Sequence, residues 1–300
     1  MSNEPVDRHA YDADWIASAW TDSGNEALLK FGDLTPRPRV SRAMDLLRLS
    51  PGLRLLDIAC GRGEVPALAC RAGVEAVGID YADASIAFAA KVRGVLNADT
   101  SADFHLVQGD ACNLPFADSS FDRVSMLDIV EHLVPPQLEA MFREVSRILR
   151  PNGFAVVHTL PNRWVYDGGY RLARMLWRRL PRDPRNTYEK QIHVNEQDIV
   201  RLHRMLSNVG LSHRLWLEQH IPAQARWHSG QMTYSDQRDS VYPLMARWPG
   251  KVLEVMSATP LRLLLSNDIF AILWHGGTPP SAIGRLPSAW VERAVCGLAR

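Results

Sequence analysis

Four carboxylates, Asp57, Asp80, Asp110 and Asp128, each stand at or near the end of an apolar run. The first run, Leu55-Leu56-Asp57-Ile58, leads into Ala59-Cys60-Gly61-Arg62-Gly63-Glu64-Val65. Gly61 and Gly63 let the backbone turn sharply and approach a ligand where a Cβ would intrude. A helix opening at that turn aims unpaired N–H groups at the same ligand. The pattern is a cradle for a nucleotide-like cofactor, with Asp57 placed to anchor the loop or to receive a cationic group. The G-x-G-x-x-G of pyrophosphate-binding sites is not completed, because its third glycine falls at Pro66. Asp80 follows the glycine turn by about 20 residues, where α/β nucleotide-binding units hold ribose hydroxyls. Its alternative is a helix cap, a task for which Asp83 is better placed.

Histidines supply the second kind of chemistry. His132 lies just past the fourth acid, with an ordinary pKa suited to general-base work; the alternative is a packing or helix-start histidine. His193, in Lys190-Gln191-Ile192-His193-Val194-Asn195-Glu196, precedes a helical run and is placed to reach in from a lid. His158 either ends a strand at the crevice or points into the sheet. Asp128, Glu131 and His132 also offer the oxygen and nitrogen donors of a divalent-metal site. Acids at strand ends bind cofactor without metal more often than with it, so no metal is assigned.

The elements that must position these groups follow from the periodicity. Residues 53–58, 76–80, 104–110, 121–128 and 154–158 read as buried strands, separated by helices over 64–73, 84–96 and 135–150. The last of these helices starts on Pro135-Pro136 and lines up Leu138, Met141, Phe142, Val145, Ile148 and Leu149 on one face. Pro151-Asn152-Gly153 stops it. Alternating strands and helices give an open parallel sheet with helices on both faces, and ligands bind such sheets at the carboxyl ends of the strands. Repetition of an acid at four such ends is hard to explain by packing alone.

Composition narrows the partners. An apolar content of 46% and a net charge of +1 describe an ordinary globular chain without the basic footprint of a nucleic-acid binder. Cys60, Cys70, Cys112 and Cys296 form no C-x-x-C pair and no zinc spacing, which reads as reduced thiols in a cytoplasmic protein. The opening Met-Ser-Asn-Glu-Pro-Val-Asp is not a signal-peptide pattern, and no apolar run reaches the length of a membrane span.

Taken together, these segments resemble the class I S-adenosylmethionine-dependent methyltransferases, especially the small-molecule branch with the ubiquinone- and menaquinone-type enzymes. The resemblance covers about residues 53–162, with a weaker tail at 193–211. It also rests on Leu114-Pro115-Phe116-Ala117-Asp118-Ser119-Ser120-Phe121-Asp122, on Glu131-His132-Leu133 and on Leu149-Arg150-Pro151-Asn152-Gly153. It implies S-adenosyl-L-methionine as cofactor, with Asp57, Ala59, Gly61 and Gly63 against its methionine part. It further implies Asp80 at the ribose and Asp110 at the adenine amino group, with Tyr81, Ala111 and Asp128 in the same binding set. Ala59 departs from the family, which usually has its first glycine there; the small side chain is expected to leave binding intact. The Rossmann-like core implied is a seven-stranded, mostly parallel sheet.

Beyond residue 162 the pattern loosens, and seven of the nine tryptophans lie there. Residues 170–180 form a short basic amphipathic helix, read first as a solvated cap and second as a lipid-facing surface. Residues 198–208 read as a helix with Gly210 as its C-cap, and 211–219 and 266–274 as the last two strands. The intervening 221–265 is expected to cap the substrate, with Trp227, His228, Tyr234, Tyr242 and Trp248 as an acceptor-pocket wall; a packed insertion or dimer surface is the alternative. Residues 276–280 read as a linker and those from Ser288 as a terminal helix. The divisions expected are a helical lid over 1–50, the core over 51–220, the insertion, and the last strand with its helix over 266–300.

The function expected is methyl transfer to a small or medium organic acceptor, with O-methylation of a sugar, phenol or secondary-metabolite hydroxyl favoured. N- or C-methylation and a non-catalytic cofactor-binding protein are the alternatives. His132 and His193 are the catalytic candidates. No nucleic-acid partner is expected: the Asn/Asp-Pro-Pro-aromatic tetrad of nucleic-acid methyltransferases is missing, and Asn162-Arg163-Trp164 does not reproduce it. A monomer or homodimer with at most peripheral lipid contact completes the expectation.

Overall fold

A computed structural model of the chain describes residues 4–20, 22–96, 104–176, 178, 180, 182–183, 185, 187–231 and 245–298. Seven strands form one sheet: β1 Arg54–Ile58, β2 Glu75–Asp80, β3 Phe104–Gln108, β4 Phe121–Leu127, β5 Leu149–Thr159, β6 Ser212–Glu218 and β7 Asp268–Trp274. Their order is β3-β2-β1-β4-β5-β7-β6. All neighbours run parallel except β7, which is antiparallel to both β5 and β6. The order reverses between β1 and β4, and the crevice beyond their carboxyl ends is where such sheets bind ligands.

Successive residues of a strand point to opposite faces, so adjacent apolar residues feed two cores. Leu56, Ile58, Val124, Met126 and Val157 join the core beneath α6 Pro135–Ile148 and α9 Ile199–Ser207. Leu55, Ala76, Val156, Phe270 and Ile272 join the other, beneath α3 Pro38–Leu47 and α4 Glu64–Arg71. The helical stripe of α6 is fully buried from Leu138 to Ile148, as its spacing predicts. Among the described residues the remaining α-helices are α1 Ala13–Trp20, α2 Asp22–Phe31, α5 Asp83–Leu96, α7 Tyr170–Leu176, α8 Thr187–Ile192, α10 Ile221–Gln231, α11 Trp248–Ser257, α12 Arg262–Leu265 and α13 Trp290–Leu298. Among the described residues no helix is long and apolar enough to cross a membrane.

Two elements differ from expectation. β5 begins at Leu149, not at Phe154, because Leu149 pairs with Phe121 across a register shift that takes up Pro151-Asn152-Gly153. Proline is tolerated where a ladder is interrupted in this way. The basic helix stops at Leu176 and is preceded by a π-helical turn, Val165–Gly169. Trp177 and Arg179 of the expected helix lie outside the described residues.

After β1 the backbone is left-handed at Ala59 (φ 60°), Gly61 (51°) and Gly63 (80°). Only glycine enters that region freely. Ala59→Gly is therefore expected to stabilise the fold by up to about 1 kcal/mol, since relief of the strained φ outweighs glycine's extra unfolded-state entropy. Urea unfolding at fixed pH measures this, and a destabilised variant contradicts it.

The far end of β6 is tied to α3 by one carboxylate. Glu218 accepts from Arg42 Nε and Nη2 at 3.0 and 2.8 Å, from Trp216 Nε1 at 2.6 Å, and pairs with His220 Nε2 at 2.9 Å. Burial works against its charge, but these partners hold its pKa down to about 2. A depressed carboxylate contributes stability above its unfolded value of 4.5 that is lost as pH falls toward 2. Glu218→Gln should cost about 1.5–3 kcal/mol at neutral pH, with the gap to the parent narrowing as pH drops through that window. A gap independent of pH in denaturant titrations would contradict the assignment.

Candidate active site

A cavity of about 460 Å³ opens over the carboxyl ends of β1, β2 and β4. Asp57, Ala59, Gly61, Asp80, Tyr81, Asp110, Ala111, Asp128, His132 and His193 all line it, so ten of the eleven residues singled out in the sequence come together. Gly63 is the exception. A Cβ there would lie 3.0 Å from the Phe104 ring and 3.1 Å from Ala89 Cβ, so this glycine serves the packing of α4 against its neighbours. Its φ of 80° also makes it the left-handed entry to that helix.

The cradle is built around Asp80. Its Oδ2 accepts the Gly61 N–H at 2.9 Å and its Oδ1 the Ala82 N–H at 3.0 Å, clamping the glycine turn to the end of β2. These backbone bonds leave the carboxylate with acceptor capacity to spare, which suits a ribose hydroxyl. Burial raises the Asp80 pKa, and the bonds from Ala82, Gly61 and Tyr81 oppose that rise. Gly78 makes the turn's approach feasible, because a Cβ there would sit 2.8 Å from Cys60 Sγ. Asp57 is buried, accepts the Ser125 hydroxyl at 2.6 Å, and is pushed up to about 7 chiefly by burial. Acids beside a turn that brings the Gly61 backbone to the cavity fit the adenosyl and methionyl parts of S-adenosylmethionine.

Asp128 is committed elsewhere than expected. It stands at φ 58°, pairs with Arg39 Nη2 at 3.0 Å and meets His158 Nδ1 at 2.5 Å. Half-buried, it is held well below the carboxylate range by Arg39 and His158. His158 points into the sheet and also meets Asp268 Oδ1 at 2.9 Å from its other nitrogen. Burial opposes its charge, yet the two carboxylates lift its pKa to about 9. This row fixes the N-terminal segment, through Arg39, to the ends of β4, β5 and β7.

The second half of the cavity gathers Glu131, His132 and His193. The segment after α8 is bonded to the loop after β4: Asn195 N–H donates to the Glu131 carbonyl at 3.0 Å, and Asn195 Nδ2 to the Leu133 carbonyl at 2.9 Å. This brings the His193 and His132 rings to 5.0 Å, edge to face. Tyr11, from the N-terminal segment, bonds His132 Nδ1 through its hydroxyl at 2.9 Å. Burial and the neighbouring His193 push His132 down to about 3, against the pull of Asp128. His193 moves the other way: burial lowers it, but Glu196, Glu131 and Glu189 win and raise it. Glu131 is lifted to about 7 by burial and Asp128, while accepting the Thr159 hydroxyl at 2.6 Å. His132 is therefore held neutral, while the carboxylates around His193 favour a proton on the His193 and Glu131 side of the cluster.

One ligand atom each from Glu131, His132 and His193 lies within 4.8 Å of the others. Mixed carboxylate and imidazole donors at that spacing suit a divalent cation. Asp128, considered in the sequence as part of such a set, is absent from this cluster.

Sequence reasoning missed Tyr11, Arg39 and Gln224, all of which line the cavity. Tyr11 and Trp15 are spaced as neighbours on a helical face and do pack edge to face at 5.0 Å, the signal that was available. The expected aromatic wall of the insertion is not formed as described. Trp248 is 74% exposed, and Trp227 is absent from the lining. Tyr234, Tyr242 and the side chain of His228 lie outside the described residues.

Residues 56–157 match a family model described as "Methyltransferase domain". An uncharacterized methyltransferase of Synechocystis sp. is 30% identical over 125 residues, which cover 41% of this chain and 55% of that protein. The demethylmenaquinone methyltransferase of Corynebacterium urealyticum is 32% identical over 127 residues, 42% of this chain and 49% of the relative. For the 24-methylenesterol C-methyltransferase 2 of Oryza sativa subsp. japonica the identity is 32% over 136 residues, covering 45% and 35%. The chain thus spans between 32% and 61% of the length of these and similar curated relatives. Among solved structures, the [4+2]-cyclase SpnF superposes with a TM-score of 0.57 at 16% identity, covering 92% of this chain and 100% of that one. Phosphoethanolamine N-methyltransferase 2 of Haemonchus contortus gives 0.58 at 15%, covering 88% and 60%. At such identities these two show the fold alone. Residues 56–157, which hold the glycine turn and the strand-end acids, are thus a methyltransferase domain.

Proposed function

We propose that this chain transfers a methyl group from S-adenosylmethionine to a hydroxyl on a small or medium organic acceptor with an apolar body. One observation carries the reading: a single cavity joins the acid-lined cradle to a buried, proton-accepting cluster. Val6, Tyr11, Trp15, Val40, Leu133 and Ile192 supply apolar walls beside that cluster. The cofactor, when bound, supplies an electrophilic methyl on a sulfonium. Asp80 and Asp110 hold its nucleoside, and Asp57 and the Ala59–Gly61 turn lie against its amino-acid end. The remaining work belongs to the chain. Tyr11 and Trp15 close the cavity to water, His132 orients the acceptor oxygen by a hydrogen bond, and His193 with Glu131 takes its proton.

Two relatives are named as C-methyltransferases, and an acceptor carbon is the competing target. Incubation with methyl-labelled S-adenosylmethionine and a panel of phenols, sugars and hydroxylated isoprenoids, with product identification by NMR, separates the two. A methyl ether supports the reading, and a new carbon–carbon bond replaces it with the C-methyl reading. Binding of cofactor with no transfer across the panel favours a non-catalytic protein. Chelator treatment distinguishes the roles of the buried cluster: proton acceptance by His193 predicts unchanged turnover, whereas restoration by added Mg²⁺ or Mn²⁺ assigns those donors to a cation.

Two variants test the division of labour. Asp80→Ala should weaken cofactor binding by roughly 1–3 kcal/mol through lost charged hydrogen bonds, and unchanged affinity by calorimetry contradicts the ribose assignment. His193→Gln should lower kcat by about 10²-fold or more while leaving S-adenosylhomocysteine affinity intact, and His132→Ala should lower it less. Loss of cofactor binding in the His193 variant would make that residue structural.

A further inference from the structure

The insertion carries an apolar surface that the cavity does not use. On α11, Trp248, Val252 and Val255 follow one another at i, i+4 and i+7, and all three are exposed, Trp248 to 74% and Val255 to 70%. An apolar stripe at helical spacing ordinarily faces a core; here it faces outward. Leu172 and Met175 repeat the pattern at i and i+3 on α7, Met175 being 76% exposed. Leu261 and Leu264, three apart at the start of α12, do so again.

These three patches belong to neighbouring elements. Gly169, at the end of the π-helical turn leading into α7, packs so closely on the Leu264 carbonyl that a Cβ would overlap it. Gly250 of α11 packs as closely on the Met245 carbonyl and beside Pro222 of α10. α10 in turn contributes the buried Gln224 to the cavity wall. The apolar surface therefore lies one helix away from the cavity.

Charge identifies the occupant. Residues 170–182 hold five arginines (171, 174, 178, 179 and 182) and no acid. Arg247 and Lys251, both exposed, flank Trp248. The acids of the same segments, Asp167 and Glu254, are paired with Arg163 and Arg226. Exposed Leu, Met and Val beside a Trp and a fringe of Arg and Lys match the interfacial region of an anionic bilayer, where apolar side chains enter the acyl boundary and cations meet headgroups. We propose that this face docks peripherally on an anionic lipid surface. Together with the function proposed above, it would give an acceptor with an apolar body a short route from the bilayer to the cavity.

The test is co-sedimentation of the full chain, without cofactor or acceptor, with vesicles of phosphatidylcholine alone or mixed with phosphatidylglycerol. Binding is expected only to the mixed vesicles and should be lost in about 1 M NaCl, where charges are screened within about 3 Å. The double variant Met175→Ser, Val255→Ser should bind at least about tenfold more weakly, since two exposed apolar side chains no longer partition. Its S-adenosylhomocysteine affinity and melting temperature should match the parent's, which separates loss of docking from loss of folding. No binding to the mixed vesicles, or equal binding by parent and variant, overturns the proposal. A parent that sediments as a dimer and a variant that sediments as a monomer would overturn it too, by giving the stripe to a second copy. None of these measurements depends on methyl transfer, so the two proposals fail independently.

Discussion

The carboxylate of Asp80 is the contact on which the site depends. A buried acid is tolerated only when its oxygens are satisfied, and here the chain satisfies them with its own backbone, the Gly61 and Ala82 N–H groups. That arrangement requires the turn after β1 to pass directly over the end of β2. It follows that Gly78 must lack a Cβ, that Ala59 and Gly61 must be left-handed, and that α4 must start where it does. The groups that shape the turn are the same ones left facing the cavity.

A second buried row does for the N-terminal segment what Asp80 does for the glycine turn. Arg39, Asp128, His158 and Asp268 lie in series from α3 to β7. Their charges alternate, which offsets the cost of burying each. Tyr11, earlier in the N-terminal segment, reaches His132. The proton-handling groups thus sit beneath a roof anchored by electrostatics, while the cradle is anchored by backbone geometry. Both converge at the ends of β4 and β5, where Asp128 stands three residues before Glu131 and the Thr159 hydroxyl donates to the Glu131 carboxylate.

Much of this was legible in the sequence because parallel strands are buried on both faces and so read as apolar runs. Asp80, Asp110 and Asp128 could be placed at the crevice from those runs alone, and the helix opening at Pro135 from its spacing, though its expected end at residue 150 lies two residues beyond the observed one. What stayed hidden required contacts across the fold. His158 is clasped by Asp128 and Asp268 only because β7 enters antiparallel beside β5, a pairing no local pattern announces. His193 could be suspected, but its approach to His132 depends on the bonds that Asn195 makes to the Glu131 and Leu133 carbonyls. Gly63 was assigned to the cofactor from its motif, whereas the packing of Phe104 and Ala89 decides its role. The tryptophans of the insertion suggested a pocket; Trp248 instead faces outward, which composition alone cannot distinguish.

The most direct measurement is calorimetric titration of the intact chain with S-adenosylmethionine, S-adenosylhomocysteine and NAD. The account predicts one site per chain for each of the two sulfur nucleotides and no heat from NAD, because the turn lacks the third glycine and ends instead on acids. Binding of NAD without the sulfur nucleotides would contradict the central assignment, and with it the reading of Asp80 and Asp110 as the cofactor's anchors.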